Sequence, residues 1–470
     1  TAREAAPSAA TIEPRTNYFV GRVQREMRGG ASSIGLMTTS VRRSLDASSV
    51  EHLRRDARAG GIDFRHQFHD RTYQIDGYLA VSRVAGSAAA IARTQRSLVH
   101  DFLRPDGAVR YDSTRTALDG ASAQIALEKR SGERTRFSAG YQYLSPGFEI
   151  NDVGFLGRAN AQSQYLWFQL RDTRPKRGYR QWTLNVNQWS NFSADGLRTE
   201  VGGNVNAHLQ LQSNWWLHVG QGGNALATSD CDDCARGGPA VRQDPAGNGW
   251  AGIEADGRKR IVPALYWSWG WGDAGRSRRV SVDPSVDFRL SSRFRASLGA
   301  GFERGTNATQ WVDNFPSASA GPAETPDAHH TFAALDQRTL SLTTRIDVTA
   351  TPTLSLQIYA QPFVTSGRYD DWIELAEPRA DHFERRYRAY LPSDGASLRA
   401  YDFNFKQLRS TSVVRWEYRP GSTLFVVWTQ ERTDDAADPG SFRARRDYGT
   451  LFRSHPRNVF LVKGSYWVSY

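Results

Sequence analysis

Long hydrophobic runs are missing from this chain of 470 residues. Hydrophobic residues make up 39% of it, and none of its apolar runs reaches the length of about 18 residues that a membrane-spanning helix needs. Transmembrane helices are therefore excluded. Two classes remain: a soluble protein rich in β-structure, and a membrane β-barrel, whose alternating strands keep the average hydrophobicity low.

Cysteine is also scarce, with 2 residues in the chain. Both lie in Cys231-Asp232-Asp233-Cys234, within a long segment that we expect to be an extracellular loop. In an oxidising compartment a local disulfide between Cys231 and Cys234 is favoured. A metal site would need further ligands, and a thioredoxin-like redox role lacks its βαβ context. The sequence predicts no metal.

Catalytic constellations are missing as well. The 10 histidines are scattered, and no Ser/His/Asp set stands out at a local spacing. Asp283 and Asp287 face the same way in one predicted strand, but Arg289 follows them, and a hydrated wall is favoured over an acid–base pair. We therefore expect neither an enzyme nor a cofactor.

Charge of one sign is not concentrated anywhere, although the net charge is +11. Basic and acidic residues are mixed, and no compact Lys/Arg run carries interleaved aromatics, so nucleic acid is not an expected partner. The excess of arginine fits a barrel lumen and loops that face acidic lipopolysaccharide.

Strict alternation of apolar and polar residues is the dominant pattern. In 197–212 one face carries Val201, Val205 and Leu209, and the other carries Glu200 and His208. Segments 280–290, 338–349 and 354–362 repeat the pattern. A period of two indicates strands with one apolar and one polar face. Their length fits tilted membrane strands of about 9–11 residues better than soluble strands of about 5–6.

Short and long connections alternate along the chain. Arg28-Gly29-Gly30 and Pro420-Gly421 are short turns, and long segments such as 87–118 and 224–245 fall between such turns. This layout is typical of outer-membrane barrels, with short periplasmic turns and long extracellular loops. Ser87 as a cap and Pro105 as a stop predict one short loop helix over 87–103.

The fold prediction is an all-β, large antiparallel transmembrane β-barrel of about 20 strands, since bacterial barrels have an even number. Roughly 19 strands are counted within the chain by the alternation. The barrel domain is therefore expected to span 1–470, to be truncated at its N-terminus, and to lack at least one upstream strand.

The chain stops on an aromatic residue at the end of an alternating segment. Lys463, Val468 and Tyr470 fit the C-terminal signal that the outer-membrane assembly machinery reads, and Gly464 lies beside the usual glycine position. The barrel-assembly machinery and outer-membrane lipid are therefore expected partners.

Several segments resemble a family of bacterial outer-membrane proteins with a domain of unknown function, number 5916. The more specific ones are Tyr143–Leu156, which contains Ser145-Pro146-Gly147-Phe148 and Asn151-Asp152-Val153-Gly154-Phe155, and Arg415–Ser422; weaker ones are 17–24, 32–35 and 335–342. The resemblance implies a signal peptide and an N-terminal carbohydrate-binding module in full-length relatives. Sugar binding is implied for those relatives and not by the residues of this chain.

The polar positions of the alternating segments predict which residues line the lumen. These are Glu200, His208, Asp283, Asp287, Arg289, Arg295, Arg345, Asp347, Gln357, Arg415 and Glu417. Mixed charge favours polar solutes over a sharply ion-selective pore. The leading hypothesis is a bacterial outer-membrane channel or transporter for polar solutes, with saccharides as a candidate class. The alternative is a surface-exposed carbohydrate-binding or scaffold protein, anchored by the barrel.

Overall fold

The computed structural model describes residues 13–316, 328–392, 397–435 and 438–468. Within these ranges, 20 strands form one antiparallel sheet and two form a separate hairpin, β11–β12. The strands are β1 Thr16–Met27, β2 Ser32–Arg43, β3 Asp56–Phe68, β4 Tyr73–Ala85, β5 Ala117–Lys129, β6 Thr135–Leu144, β7 Ala161–Asp172, β8 Gln181–Phe192, β9 Arg198–Gln210, β10 Trp216–Gly223, β11 Ser229–Cys231, β12 Val241–Gln243, β13 Gly247–Glu254, β14 Ile261–Gly272, β15 Ser277–Arg289, β16 Phe294–Phe315, β17 His329–Thr351, β18 Leu354–Leu375, β19 Tyr387–Ala389, β20 Phe403–Arg419, β21 Ser422–Asp434 and β22 Arg457–Ser465.

Alternation gives the wall of the barrel two chemically different faces. On β4, Leu79 and Val81 are 59% and 62% exposed, far more than core residues would be. The pairing register carries this face around the sheet, and it presents a band of exposed apolar side chains: Ile34, Leu36, Ile62, Phe64, Leu79, Val81, Ile125, Leu127, Val205, Val219, Leu265, Val280, Val282, Leu298, Phe302, Val426 and Val462. Such a band is the lipid-contacting surface of a membrane barrel. We refer to it as the lipid face, and to the opposite face as the lumen face.

Tight turns connect the strands at one rim. Between β1 and β2, Arg28, Gly29 and Gly30 have φ of 54°, 62° and 82°, and the Gly30 amide donates to the Met27 carbonyl at 3.1 Å. Glycine adopts positive φ without steric cost, which explains the Gly-Gly pair in this turn. The long loops lie at the other rim, as the sequence predicted.

Three α-helices occur in the described ranges: α1 Ala88–Arg96, α2 Phe383–Arg386 and α3 Ala444–Arg453. None of the described helices is long and apolar enough to cross a membrane. Helix α1 starts as expected, because the Ser87 side chain accepts a hydrogen bond from the Ala90 amide. It ends at Arg96 and not at residue 103, because Ser97 takes an extended conformation. The prediction of a single loop helix was wrong, because α3 is a further helix in the loop between β21 and β22.

Helix α1 folds into the mouth of the barrel. It packs on lumen-face residues at the upper ends of β2 to β5, forming a buried cluster of Val41, Ala57, Val84, Ile91, Phe102 and Leu118. The wall is therefore lined by an apolar core where the long loops fold inward, and by polar residues below it.

The residues of the predicted assembly signal lie in different places in the structure. Lys463 and Gly464 lie on β22, on the lumen face and the lipid face respectively. Val468 follows the strand and is exposed, and Tyr470 lies outside the described residues.

Within the described ranges the sheet has an odd number of long strands. One of its 20 strands, β19, has three residues and pairs only with the upper end of β18. Among the described residues β1 pairs only with β2, and β22 only with β21. Because successive wall strands alternate in direction, β1 and β22 both run toward the rim of short turns. A direct pair between them would be parallel, unlike every other pair in the wall.

We expect that β1 and β22 do not pair directly in the membrane, because antiparallel closure requires a strand between them. Cysteine pairs V20C/V459C and V20C/L461C, all on the lumen face, should stay unlinked under mild oxidation in a Cys231→Ser/Cys234→Ser background. The control pair V20C/T39C joins residues that are register partners in β1 and β2 and should form a disulfide. A β1–β22 disulfide with the yield of the control would contradict this prediction.

Candidate functional site

A cavity of about 730 Å³ with a mixed polar and apolar lining lies against the lumen face of the barrel, toward the rim of long loops. Strands β13 to β17 supply one side and the loop between β10 and β13 supplies the other. The lining residues with polar or aromatic groups include Asn224, Gln243, Asp244, Asn248, Trp250, Ser268, Arg279, Glu303, Asn307, Gln310 and Gln337. This composition, with Trp250, Trp269 and Trp271 among amides and charges, suits a polar ligand that also has an apolar surface.

The indole of Trp250 is placed by a glycine on the neighbouring strand. Gly220 on β10 is the register partner of Trp250 on β13. A Cβ atom at Gly220 would collide with the indole nitrogen of Trp250. The missing side chain therefore lets the ring lie flat along the wall beside the cavity.

Arg279 and Glu303 form an ion pair on the cavity wall. Arg279 comes from β15 and Glu303 from β16, and their side chains are 62% and 35% exposed. Because both groups remain accessible to lumen water, the pair is available to donate and accept hydrogen bonds to a solute.

A row of asparagines continues the polar surface on the strands beside the cavity. The Asn185 amide donates to Asn206 at 2.8 Å, and the Asn187 amide donates to Asn204 at 2.7 Å. Asn206 also donates to Asn204 at 2.9 Å. The row crosses from β8 to β9, and it leaves an ordered line of amide groups facing the lumen.

Two histidines connect this row to Trp250. His208 and His218 are register partners on β9 and β10, and their Nδ1 atoms are 2.7 Å apart. The His208 ring lies 5.8 Å from the Trp250 ring, and His218 stacks on Tyr266 at 5.8 Å. We call the four asparagines, the two histidines, Trp250 and Tyr266 the aromatic–amide wall.

The predicted lumen residues lie on the lumen face, but outside the cavity. Glu200 accepts hydrogen bonds from Trp189 at 2.7 Å and Asn191 at 2.9 Å. His208 belongs to the aromatic–amide wall. Asp283 accepts a hydrogen bond from Ser281 at 3.0 Å. The structure thus uses Glu200 and Asp283 as acceptors within the wall.

The remaining predicted residues lie nearer the short turns. Arg289, Arg295, Asp347 and Gln357 are successive register partners across β15 to β18, and Asp287 lies opposite Ser297. Arg289 donates to the Gly257 carbonyl. Nearby on the same face, Arg345 lies 5.2 Å from the Tyr359 ring, and Arg415 pairs with Glu417 at 3.2 Å. These residues form a mixed-charge band and do not share a site with Trp250.

The long loops interlock above the lumen, in what we call the loop layer: residues 43–55, 86–116, 145–160, 193–197 and 224–246. Ion pairs and hydrogen bonds, most of them largely buried, join segments far apart in sequence: Arg43–Asp152 at 2.6 Å, Arg54–Asp152 at 3.0 Å, Arg54–Glu149 at 3.2 Å, His100–Glu149 at 2.9 Å, Arg104–Asp195 at 2.8 Å, and the partly exposed Arg158–Asp232. Burial of Glu149 raises its pKa, but the hydrogen bond from His100 and the charge of Arg54 outweigh burial and leave the pKa lowered. The layer is therefore a packed structure and not a set of independent loops.

The charged form of Asp101, in the loop layer, is electrostatically unfavourable. Burial, together with the charges of Asp232 and Asp233, raises the pKa of Asp101 to about 7, although Arg104 and Arg158 oppose the rise. The nearby Cys231 and Cys234 are joined in the disulfide that the sequence favoured. This link fixes the acidic turn that faces Asp101.

The family follows from comparison of the sequence with known families. A domain of unknown function, DUF5916, matches residues 2–470. The chain belongs to this family. The match fills the chain, so the carbohydrate-binding module implied for full-length relatives is not part of it. The comparison with curated proteins found no match.

Several solved structures are similar to this chain at low sequence identity. The FrpB iron transporter from Neisseria meningitidis has a TM-score of 0.47 and 10% identity, covering 96% of this chain and 72% of the transporter. The siderophore receptor PirA from Acinetobacter baumannii has a TM-score of 0.41 and 10% identity, covering 89% of this chain and 74% of the receptor. OccK3 from Pseudomonas aeruginosa has a TM-score of 0.33 and 12% identity, covering 96% of this chain and 93% of OccK3.

Sequence reasoning missed the cavity itself. Trp250 and Asn248 lie on an eight-residue strand, β13, in which Gly247, Gly249 and Gly252 interrupt the apolar alternation. Without a clear apolar face, the direction of Trp250 could not be assigned. The four asparagines do alternate in the sequence, and that regular spacing was the available signal.

The loop layer should loosen as the pH rises from about 4 toward 7. Because the pKa of Asp101 is raised in the folded layer, protonation of this carboxyl group stabilises the folded layer. The stabilisation is complete below the unfolded pKa of about 3.9 and is lost as the pH rises through the folded pKa of about 7. Hydrogen exchange, corrected for intrinsic rates, should show more frequent opening of residues 97–104 at pH 8 than at pH 5.

The substitution Asp101→Asn should remove most of that pH dependence, because an amide keeps the neutral form at both pH values. The matched variant Asp435→Asn changes an exposed loop carboxylate and should leave the pH dependence as in the wild type. If D101N opened with the pH profile of the wild type, Asp101 would not be the group responsible.

Proposed function

We propose that this protein is an outer-membrane barrel that binds polar solutes in its lumen and transports them, and that saccharides are the solute class. The observation that carries the proposal is the joint presence of the 730 Å³ cavity and the aromatic–amide wall beside it. A sugar ring has an apolar face that packs on an indole and a rim of hydroxyls that need donors and acceptors. Trp250, the amide row and the Arg279–Glu303 pair supply these groups together.

Mixed charge along the lumen supports the same proposal. The cavity carries Arg279 beside Glu303, and the band near the short turns carries Arg295 opposite Asp347. A lumen with both signs favours neutral polar solutes over ions of one sign. Catalysis is not proposed, since none of these groups forms a nucleophile–base arrangement.

Trp250→Ala should weaken saccharide binding about tenfold, which corresponds to about 1.4 kcal/mol, because the stacking surface is lost. The measurement is saccharide block of current through the protein in planar bilayers, with oligosaccharides of increasing length. Trp267→Ala removes the same ring from the lipid face of β14 and should leave the block unchanged. A barrel that neither conducts nor binds any saccharide would contradict the proposal.

The same experiment separates transport from the alternative function of a surface scaffold. Saccharide binding without any permeation, measured by liposome swelling, would favour the scaffold. Permeation that depends on Trp250 favours transport.

Arg279→Gln should shift the pore toward cations, because Glu303 then remains without its positive partner. The reversal potential in a salt gradient measures this shift, and the double variant R279Q/E303Q should return it toward the wild type. An unchanged reversal potential in R279Q would mean that the permeation path does not pass this pair.

A further inference from the structure

Helix α3 lies on the lipid face of the barrel wall. Val364, Lys406 and Leu408 point to that face in β18 and β20 but are only 0%, 1% and 7% exposed. Lower on β20 the same face is open, with Val414 and Trp416 at 37% and 47%. The loop between β21 and β22, which contains α3, covers the upper residues: the Tyr448 hydroxyl donates to the Leu340 carbonyl of β17 at 2.8 Å.

The level of α3 along the strands is the outer boundary of the hydrocarbon layer. The lipid face of β20 is uncharged from Val414 through Ser412 and Ser410 to Leu408. It changes to a charge at Lys406, which pairs with Asp434 at 3.2 Å. On the neighbouring β21 the same change occurs between Trp428 and Arg432. Long loops mark this rim as the extracellular one. The helix therefore lies where lipid headgroups of the outer leaflet begin.

Several hydrogen bonds fix α3 in place. Arg432 donates to the Phe452 and Ser454 carbonyls, both at 2.7 Å, at the C-terminal end of the helix. Asn404 on β20 donates to the Ser441 carbonyl ahead of the helix at 2.5 Å. Asp447 and Leu451 are fully buried against the wall. The helix is thus a built part of the outer surface.

The opposite side of α3 is basic and carries one exposed aromatic ring. Arg445, Phe452 and Arg453 are exposed and lie i, i+7 and i+8 apart, on one helix face. Arg443 precedes the helix and is exposed as well. Within the part of the chain that the structure describes, Arg443, Arg445 and Arg453 have no carboxylate partner, whereas Arg446 pairs with Asp447 at 2.7 Å and Asp438 at 2.8 Å.

We propose that Arg443, Arg445, Phe452 and Arg453 form a binding site for the phosphorylated glycolipid of the outer leaflet. Guanidinium groups bind phosphate oxygens through paired hydrogen bonds. Arg453 also donates from Nε to the Gly449 carbonyl at 3.0 Å, which orients its guanidinium group. Three guanidinium groups without a carboxylate partner at headgroup level complement a lipid that carries more than one phosphate. The Phe452 ring then enters the boundary between headgroups and acyl chains, as in helices that lie in a membrane interface.

The test uses the full chain in phospholipid nanodiscs, with bisphosphorylated lipid A as the probe and native mass spectrometry as the readout. The variant R443Q/R445Q/R453Q should bind lipid A at least about tenfold more weakly. The control R177Q/R260Q/R293Q removes three exposed arginines from the rim of short turns and should bind like the wild type. Dephosphorylated lipid A should bind the wild type as weakly as the triple variant binds lipid A.

A second measurement keeps the proposal falsifiable if the triple variant folds poorly. A photoreactive phenylalanine analogue at position 452, in otherwise wild-type protein, should crosslink to lipopolysaccharide in whole cells, and the same analogue at Phe68 beside the short turns should not. Equal binding of lipid A by the triple variant and the wild type would overturn the proposal. So would equal competition by phosphatidylglycerol, which would show a general attraction to anionic lipid.

Discussion

The hydrogen bonds between neighbouring strands are the constraint on which the rest of the structure depends. Hydrocarbon offers no partner to a backbone amide or carbonyl, so every strand that crosses it must pair along its whole length. In this chain the ladder is continuous from β1 to β22, apart from the short additions β11, β12 and β19. Once one strand is oriented, the ladder fixes which face of every other strand meets lipid and which meets the lumen.

The pairing of the strands determines the geometry of the candidate site. Trp250 faces the lumen because it is the partner of Gly220, and His208 meets His218 because the two are partners in the next pair of strands. A slip of one residue in β13 would turn Trp250 toward lipid and put a neighbouring residue on the lumen face in its place. The binding surface is therefore a property of register, and single side chains do not determine it alone.

How far the sequence could predict this structure depends on the kind of contact. Alternation in 197–212 placed Glu200 and His208 on the lumen face of β9, because period-two patterns report a face directly. Helix α3 was missed because its run of arginines is typical of a solvated loop, and its covered face exists only against β18 and β20. Contacts such as Arg43–Asp152, which join residues 109 positions apart, depend on how loops meet in space and leave no local pattern.

The loop layer places a condition on any passage of solute through the barrel. Arg43, Arg54 and Arg104 and their carboxylate partners are largely buried, and separating one such pair would leave an uncompensated charge, which costs more than the pair contributes. The same segments share the apolar cluster of Ile91 and Phe102 against the wall. Opening one loop therefore disturbs the ion pairs of the next, so the layer is expected to open as a unit. The negative charge of Asp101 is disfavoured in this layer, because Asp232 and Asp233 repel it. A cooperative layer opens most easily at the residue that it stabilises least, and that residue is Asp101.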